Sequence, residues 1–392
     1  MKDLGKLSSE LCMTSLFRGI MDDELFLRFS EAVSERIEKN DRIRAFAALA
    51  DRIYKSGGSL SSYVSRLVFE DDNIYVRLRS RGEEIPPHIA SALEHELSVL
   101  SELASLSAED FRASLGVDYV SPFPTERIAL GELYEERMRN VSRYGYGIVS
   151  SAPMFRLSDD GKIEPIVSAD RIAMESFIGY EAERGAVVEN TRAFLEGRPA
   201  ANVLLCGDAG TGKSSTVKAV ANEFFPDGLR LIELRKDQLR FLPTVMNAIS
   251  ENPLHFIIFI DDLSFNQNDD SFSMLKAALE GSAAAKADNA VIYATSNRRH
   301  IIKESFSDRD GDDVHRNDTM QETLSLSERF GLVILYQKPN RTLYLKIVRE
   351  LADRRGISMP QGELETLAEA FALKRGSRSA RCAEQFIDSL AR

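Results

Sequence analysis

Apolar residues recur in two different patterns along this chain, and the patterns predict two kinds of architecture. In the first third they repeat at helical spacing, as in Leu25, Phe29, Val33 and Ile37, so residues 8–130 are predicted to be mostly helical. Further along, short and wholly apolar runs alternate with helical stretches, which is typical of strands buried on both faces of a parallel sheet. The predicted strands are 203–206, 229–233, 256–260, 290–295 and 332–336.

The places where the pattern changes give the predicted domain boundaries. We predict a mostly helical N-terminal accessory domain at 1–143, a β-rich junction at 144–170, an α/β core at 171–338 and a small helical region at 339–392. No chemically suggestive cluster of residues occurs in the first of these. A partner-binding or regulatory module and a purely structural appendage therefore both remain open for residues 1–143.

A glycine-rich segment leaves the strand 203–206 and opens a helix. It matches the pattern G-x-x-x-x-G-K-[ST] at every fixed position, with a strand before it and a helix after it. Its glycines allow successive N–H groups to point inward at a helix N-terminus, which favours phosphate. Lys213 would place a positive charge on the β- and γ-phosphates, and Ser214 would offer a hydroxyl to Mg²⁺. The predicted phosphate-binding residues are Gly207, Asp208, Ala209, Gly210, Thr211, Gly212, Lys213, Ser214 and Ser215.

Polar side chains follow two further predicted strands. The apolar run 256–260 ends in Asp261 and Asp262, and the run 290–295 leads to Asn297. The carboxyl ends of parallel strands deliver such groups to one edge of the sheet, beside the glycine-rich loop. We predict that Asp261 holds Mg²⁺, directly or through water, and that Asp262 orients or deprotonates an attacking water. The Asn297 amide would contact the γ-phosphate or that water.

Composition narrows the classes of function. The 392 residues are 43% hydrophobic and 28% charged, as is ordinary for a globular protein. The formal net charge of −11 argues against broad contact with nucleic acid, which needs clustered cations. Three cysteines with no paired spacing predict a reducing compartment. Because neither a leader nor an uncharged run of about 18 residues occurs, we expect a cytoplasmic protein with no membrane partner.

The motifs, in this order, resemble those of the AAA+ ATPases over residues 176–392. The segments 177–181, 261–265, 293–300 and 326–332 are similar to those of an uncharacterised bacterial family of predicted P-loop ATPases, known only as ATP-binding proteins. The resemblance implies ATP and Mg²⁺ as cofactors and a homo-oligomer. It also implies a five-stranded parallel sheet followed by a four-helix lid.

The same resemblance implies individual roles for polar residues. Asn297 corresponds to sensor 1, and Arg329 to an arginine finger that reaches the γ-phosphate of a neighbouring subunit. Arg378 corresponds to sensor 2 in the lid, with Arg381 as the alternative. In addition, Ile178 and Tyr180 lie just upstream of the loop, where they are placed to cover the nucleotide base.

We therefore predict an ATPase that hydrolyses ATP to drive conformational change on an unknown protein client. Two departures leave alternatives open. Asp262 stands where glutamate is usual, so a switch or scaffold that binds ATP with negligible hydrolysis remains open. Arg298 and Arg299, together with the segment 327–331, leave a DNA-associated loader or remodeller open, although the net charge does not indicate a nucleic-acid partner.

Overall fold

The computed structural model divides the chain into two units, Met1–Ser151 and Ala152–Arg392. It describes residues 2–166, 172–263, 274–275, 279, 287–297, 329–376 and 378–390. Among the helices of these ranges, none is both long enough and apolar enough to cross a membrane.

The first unit is helical, as the apolar spacing predicts. Its helix Ala108–Leu115 begins at a capping box in which the Ser107 N–H donates to Asp110 Oδ2 at 2.8 Å. Apolar faces of the helices share one core, where the rings of Phe29 and Phe111 meet edge to face at 5.9 Å. The helices are α1 (Leu4–Cys12), α2 (Glu24–Val33), α3 (Lys39–Lys55), α4 (Leu60–Glu70), α5 (Ile74–Ser80), α6 (Pro87–Ala104), α7 (Ala108–Leu115), α8 (Leu130–Arg139) and α9 (Val141–Tyr144), with 3₁₀ turns at Arg18–Asp22 and Ile148–Ser150.

The second unit contains one mixed sheet of seven strands, in the order β2-β1-β4-β5-β6-β3-β7. All neighbouring strands are parallel except β1 and β2, which are antiparallel. The central strands are buried on both faces, which explains their continuous apolar runs. The strands are β1 (Met154–Leu157), β2 (Ile163–Pro165), β3 (Val203–Gly207), β4 (Leu229–Leu234), β5 (His255–Ile260), β6 (Ala290–Ser296) and β7 (Leu332–Tyr336).

The predicted α/β class is confirmed, but the predicted count of five strands is wrong. The two additional strands come from residues 154–165, within the stretch that the sequence places in a junction. Phe155 of β1 pairs with Ile232 of β4 in parallel register, so this short strand extends the sheet at the edge beside β4. Strands of four and three residues leave too short an apolar pattern to be assigned to a sheet from sequence.

Helices cover this sheet and continue beyond its last strand. The three that follow β7, here called the lid, share a core of their own that includes Tyr344, Leu364 and Phe386. The implied lid has four helices, whereas the described residues 329–376 and 378–390 contain three. The helices of the unit are α10 (Glu181–Leu195), α11 (Lys213–Glu223), α12 (Leu242–Ile249), α13 (Arg341–Arg354), α14 (Gln361–Arg375) and α15 (Ala380–Leu390), with 3₁₀ turns at Met174–Ser176, Phe225–Asp227 and Lys236–Phe241.

Strand register determines which loops meet. Cys206 near the end of β3 pairs with Ser296 at the end of β6, and Ile260 at the end of β5 pairs with Ala294 of β6. The segments that follow β3, β5 and β6 therefore emerge side by side at one edge of the sheet, the edge formed by the carboxyl ends of the parallel strands. Strand β7 runs parallel to β3, so the residues that precede β7 lie at the opposite edge, which is formed by the amino ends of these strands.

Candidate nucleotide-binding site

The backbone of the loop between β3 and α11 requires glycine at two of its fixed positions. Gly207 has φ 139°, and a Cβ atom there would lie 2.0 Å from the carbonyl oxygen of Tyr336 on the adjacent strand β7. Gly212 has φ 92° and forms the N-cap of α11. Side chains rarely tolerate such φ angles, and the backbone of β7 cannot retreat without breaking its pairing. The glycine pattern thus follows from the geometry of the strand-to-helix turn.

The other predicted loop residues differ in exposure. Ala209 is exposed, whereas Asp208 and Ser215 are half-buried. Thr211 is buried, and its hydroxyl donates to the carbonyl oxygen of Asp208 at 2.9 Å. This bond closes the loop on itself and leaves Ala209 at its tip.

Lys213 lies in the centre of this edge of the sheet. It is only 5% exposed, and its ammonium group donates to the carbonyl oxygens of Gly207 at 3.0 Å and Asp208 at 2.8 Å. The third acceptor is Asn297 Oδ1, at 3.0 Å. Burial lowers the pKa of the Lys213 ammonium, because the charged form loses hydration. The ammonium is held by neutral oxygens that an anionic ligand would outcompete.

Ser214 and Asp261, the two residues predicted to hold Mg²⁺, lie within hydrogen-bonding distance of each other. The Ser214 hydroxyl donates to Asp261 Oδ1 at 2.5 Å. Mg²⁺ prefers hard oxygen ligands and is usually bound by one or two carboxylates together with substrate phosphates. A hydroxyl and a carboxylate directly beside a phosphate-binding loop fit that donor set.

Thr295, which the sequence analysis did not assign to the site, connects the two aspartates. Its hydroxyl donates to Asp261 Oδ1 at 2.6 Å and accepts from the Asp262 N–H at 2.9 Å. The signal for this residue is a threonine near the end of an otherwise apolar strand, two positions before Asn297. Threonine is common in strands because of its β-branched shape, so the sequence pattern alone does not distinguish a strand-forming threonine from one that belongs to the site.

Asp262 and Asn297 contact each other at the exposed rim of the site. The Asn297 Nδ2 group donates to Asp262 Oδ1 at 2.8 Å, while its Oδ1 accepts from Lys213. Asp262 has φ 53°, in the left-handed region that aspartate enters more readily than most side chains. The amide therefore bridges a cation and a carboxylate, and both of its ends are fixed by charged groups.

The residues predicted to cover the base lie between the loop and the lid. Tyr180 is buried, with its ring 5.2 Å from that of Tyr336 and its hydroxyl donating to the Gln337 carbonyl oxygen at 2.6 Å. Burial raises the pKa of the Tyr180 phenol. Ile178 packs against the lid core. Lid helix α13 also contacts this segment, since Arg354 donates to the Ser176 carbonyl oxygen at 2.5 Å.

The two lid arginines have different environments. Arg378 donates from Nη2 to Glu369 Oε2 at 2.6 Å, and this bond raises the pKa of the guanidinium. Arg381 lies against the glycine-rich loop: its backbone N–H faces the Gly210 carbonyl oxygen at 3.5 Å, and a Cβ atom on Gly210 would lie 3.3 Å from Arg381 Cβ. The structure thus brings Arg381 to the loop and pairs Arg378 within the lid.

Arg329 lies away from the loop of its own chain. It immediately precedes the buried Phe330 and the start of β7, whose residue Leu332 pairs with Val203 at the beginning of β3. It is therefore at the opposite edge of the sheet from Lys213. The predicted pair Arg298 and Arg299 lies outside the described residues.

Sequence comparison places the chain in a known family. Residues 150–392 match the family described as "Protein of unknown function (DUF815)", which is more than half of the chain. The chain belongs to this family, and the predicted relation to an uncharacterised family is confirmed. A search of curated proteins returned no match.

Comparison with solved structures gives distant similarities. The RuvB Holliday junction branch migration motor of Thermotoga maritima is 11% identical, with 56% of this chain and 72% of that chain covered and a TM-score of 0.34. The replication initiator DnaA bound to AMPPCP and single-stranded DNA is 18% identical, with 56% and 65% covered and a TM-score of 0.40.

Proposed function

We propose that this protein binds ATP with Mg²⁺ and hydrolyses it to ADP and phosphate. One observation carries the proposal: Lys213, Ser214, Asp261, Asp262 and Asn297 lie at one edge of the sheet, where the Thr295 hydroxyl joins their hydrogen bonds into one set. A cation, a hydroxyl, two carboxylates and an amide beside an anion-binding loop are the parts that phosphoryl transfer to water requires.

Each side chain has a defined task in this proposal. Lys213 exchanges its loop carbonyls for phosphate oxygens and stabilises the charge that develops on them. Ser214 and Asp261 would hold Mg²⁺, which would supply further neutralisation of phosphate charge. Asp262 orients the attacking water and accepts its proton, and Asn297 contacts the γ-phosphate. The contact of Asn297 with both Lys213 and Asp262 supports a shared role for the three.

We further propose that the site is completed by a neighbouring copy of the chain. Arg329 lies at the opposite edge of the sheet from Lys213, so it does not serve the nucleotide of its own chain. The position is suited to reaching a neighbour's γ-phosphate. Within the lid, the geometry favours Arg381 over Arg378 as the arginine that responds to phosphate, since Arg378 is held by Glu369. Lid motion would then transmit the nucleotide state to a client.

The test is ATP turnover against protein concentration, with Mg²⁺ and nucleotide saturating. Turnover per subunit should rise with concentration in the wild type and fall by about 10³ to 10⁵ in Arg329→Ala, with nucleotide binding retained. Lys213→Ala should lose binding and turnover together. The matched controls are Arg198→Ala, an exposed arginine of the same unit, and Lys218→Ala, whose partner is Glu233 at 3.1 Å.

Two results would contradict these assignments. If Lys213→Ala kept wild-type nucleotide affinity and turnover, the site would be elsewhere. Turnover that is independent of concentration and unaffected by Arg329→Ala would remove the shared active site while leaving ATP hydrolysis in place.

A second function is favoured by a specific contact. The Asp262 carboxylate is one methylene shorter than the usual glutamate and is engaged by Asn297 at 2.8 Å. A switch that binds ATP and hydrolyses it negligibly would use this contact to keep the carboxylate away from water. Tight binding of ATP with no phosphate release, at concentrations where the protein is assembled, is the result expected for the switch.

A further inference from the structure

Thr295 makes three hydrogen bonds to the segment that carries the two aspartates. Its hydroxyl donates to Asp261 Oδ1 at 2.6 Å and accepts from the Asp262 N–H at 2.9 Å. Its carbonyl oxygen accepts from the Leu263 N–H at 2.7 Å. Thr295 is 2% exposed, so water is not at hand to replace these bonds if the hydroxyl is removed.

These bonds constrain both carboxylates. Asp261 Oδ1 accepts from two hydroxyls at once, those of Ser214 and Thr295, which fixes the rotation of the carboxylate. Asp262 has φ 53°, a backbone conformation that few side chains adopt without support from neighbouring groups. The Thr295 hydroxyl holds the N–H of that residue, and the Asp262 carboxylate consequently reaches Asn297 at 2.8 Å.

We propose that Thr295 is a positioning residue that sets Asp261 for the cation and Asp262 for the attacking water. The inference rests on the proposed ATPase function, and Thr295 is assigned no contact with the nucleotide. The bond to Asp261 and the bond to Asp262 use the same hydroxyl group, so loss of that group alone should disturb both carboxylates together.

The experiment compares Thr295→Val, which keeps the shape without the hydroxyl, with Thr295→Ser, which keeps the hydroxyl. A matched control is Thr191→Val. Thr191 is also fully buried, and its hydroxyl forms a hydrogen bond of 2.8 Å with the Tyr293 hydroxyl, away from the aspartates. Thr295→Ala repeats the comparison with a smaller side chain if the valine variant does not fold.

Three readouts are measured: kcat and KM for ATP, the Mg²⁺ concentration for half-maximal binding of a fluorescent ATP analogue, and hydrogen exchange at the Asp262 and Leu263 amides. Thr295→Val should lower kcat at least about tenfold, a part of the roughly 10² to 10⁴ that general-base catalysis contributes. It should raise the Mg²⁺ requirement severalfold and speed exchange at the two amides. Binding of the analogue without Mg²⁺ should stay within about twofold, because the loop and Lys213 are untouched, and Thr295→Ser should restore all three readouts.

Equal kcat and equal Mg²⁺ dependence in Thr295→Val, Thr295→Ser and Thr191→Val would overturn the proposal. If the wild type binds nucleotide but shows no turnover, the ATPase assignment fails, and an unchanged Mg²⁺ requirement in Thr295→Val still overturns the role of Thr295. Amide exchange needs no nucleotide at all, so unchanged exchange at Asp262 would refute the positioning role even in a protein that bound no ATP.

Discussion

Each unit of the protein has a buried or half-buried carboxylate on which several donors converge, but the donors are of different kinds. Glu96 of α6 is 5% exposed and is held mainly by backbone N–H groups. Asp261 at the end of β5 is held by two side-chain hydroxyls, at 2.5 and 2.6 Å. The donors to Glu96 are the N–H groups of Ser15, Leu16 and Phe17 and the Ser15 hydroxyl, at 2.9 to 3.1 Å.

The difference separates a structural carboxylate, whose donors are fixed in the backbone, from what we call an exchangeable carboxylate, whose side-chain donors can turn to a ligand. Backbone N–H groups cannot turn away without moving the chain, so Glu96 serves to fix the turn before the 3₁₀ helix Arg18–Asp22. The Ser214 hydroxyl and the Asn297 amide, by contrast, rotate about single bonds and can turn from a protein carboxylate to a ligand. The two aspartates of the proposed site are of this second kind, because their carboxylates are held by side-chain hydroxyl and amide groups.

Among the changes that test this comparison, the largest effect is expected from Asp262→Asn, which removes the charge of the carboxylate and preserves the size of the side chain. Turnover should fall by about 10² to 10⁴, the usual contribution of a general base, with ATP affinity changed by no more than about threefold. Steady-state phosphate release and analogue binding measure the two quantities. Asp353→Asn, an exposed aspartate of the lid, is the control. Wild-type turnover in Asp262→Asn would exclude this carboxylate from proton transfer.

Glu96→Ala tests the structural member of the comparison. Several buried donors would lose their acceptor at once, so the first unit should lose about 3 kcal/mol or more of its free energy of unfolding. Glu96→Gln keeps one acceptor oxygen and should lose less. Urea unfolding followed by far-ultraviolet circular dichroism gives the values, with Glu102→Ala on the exposed face of the same helix as control. Equal stability of the alanine variants at both positions would show that the backbone donors do not need Glu96.

Asp71 is a second carboxylate of the first unit, and it accepts fewer hydrogen bonds than Glu96 does. It accepts from Asn73 Nδ2 at 2.7 Å, and burial raises the pKa of its carboxyl to about 6. The folded state therefore binds a proton that the unfolded chain, with a pKa near 3.9, has released. This contribution is present below about pH 4 and is lost as the pH rises through about 6, to the extent of about 3 kcal/mol.

Asp71→Asn should remove this dependence and raise stability at pH 7 relative to pH 4. Urea unfolding of the wild type and the variant at both pH values provides the measurement. A pH dependence that is the same in both proteins would assign the titration to another group.

Site residues could be predicted from the sequence when the residues that determine their positions lie close together along the chain. The glycine loop and Lys213 are set by backbone geometry within eight residues, and their spacing records it directly. Thr295 was missed because its contacts with Asp261 and Asp262 cross from one strand to another. Likewise, Arg378 precedes helix α15 and Arg381 lies in its first turn, and only the packing of this segment decides which of the two lies against the loop.

The fold shows the same limit. Five strands of the sheet were predicted, since each is a continuous apolar run; the central ones are buried on both faces, and the edge strand β7 keeps the same pattern although it is partly exposed. The additional strands β1 and β2 acquire their identity from pairing with β4 and with each other, which no short run of residues encodes. An edge strand can therefore be predicted only when its own residues form a recognisable apolar pattern.

The smallest effect is expected from Asp262→Glu, which keeps the carboxylate and lengthens the side chain by one methylene. Backbone at φ 53° accommodates aspartate, whereas glutamate there would be strained by roughly 1 to 2 kcal/mol. Relief of that strain would shift the carboxylate from its contact with Asn297. We therefore expect turnover to fall between about threefold and tenfold and not to rise. Phosphate release by the glutamate, asparagine and wild-type proteins decides the matter. A gain in turnover would mean that reach, and not the backbone conformation held by Thr295, limits the exchangeable carboxylate.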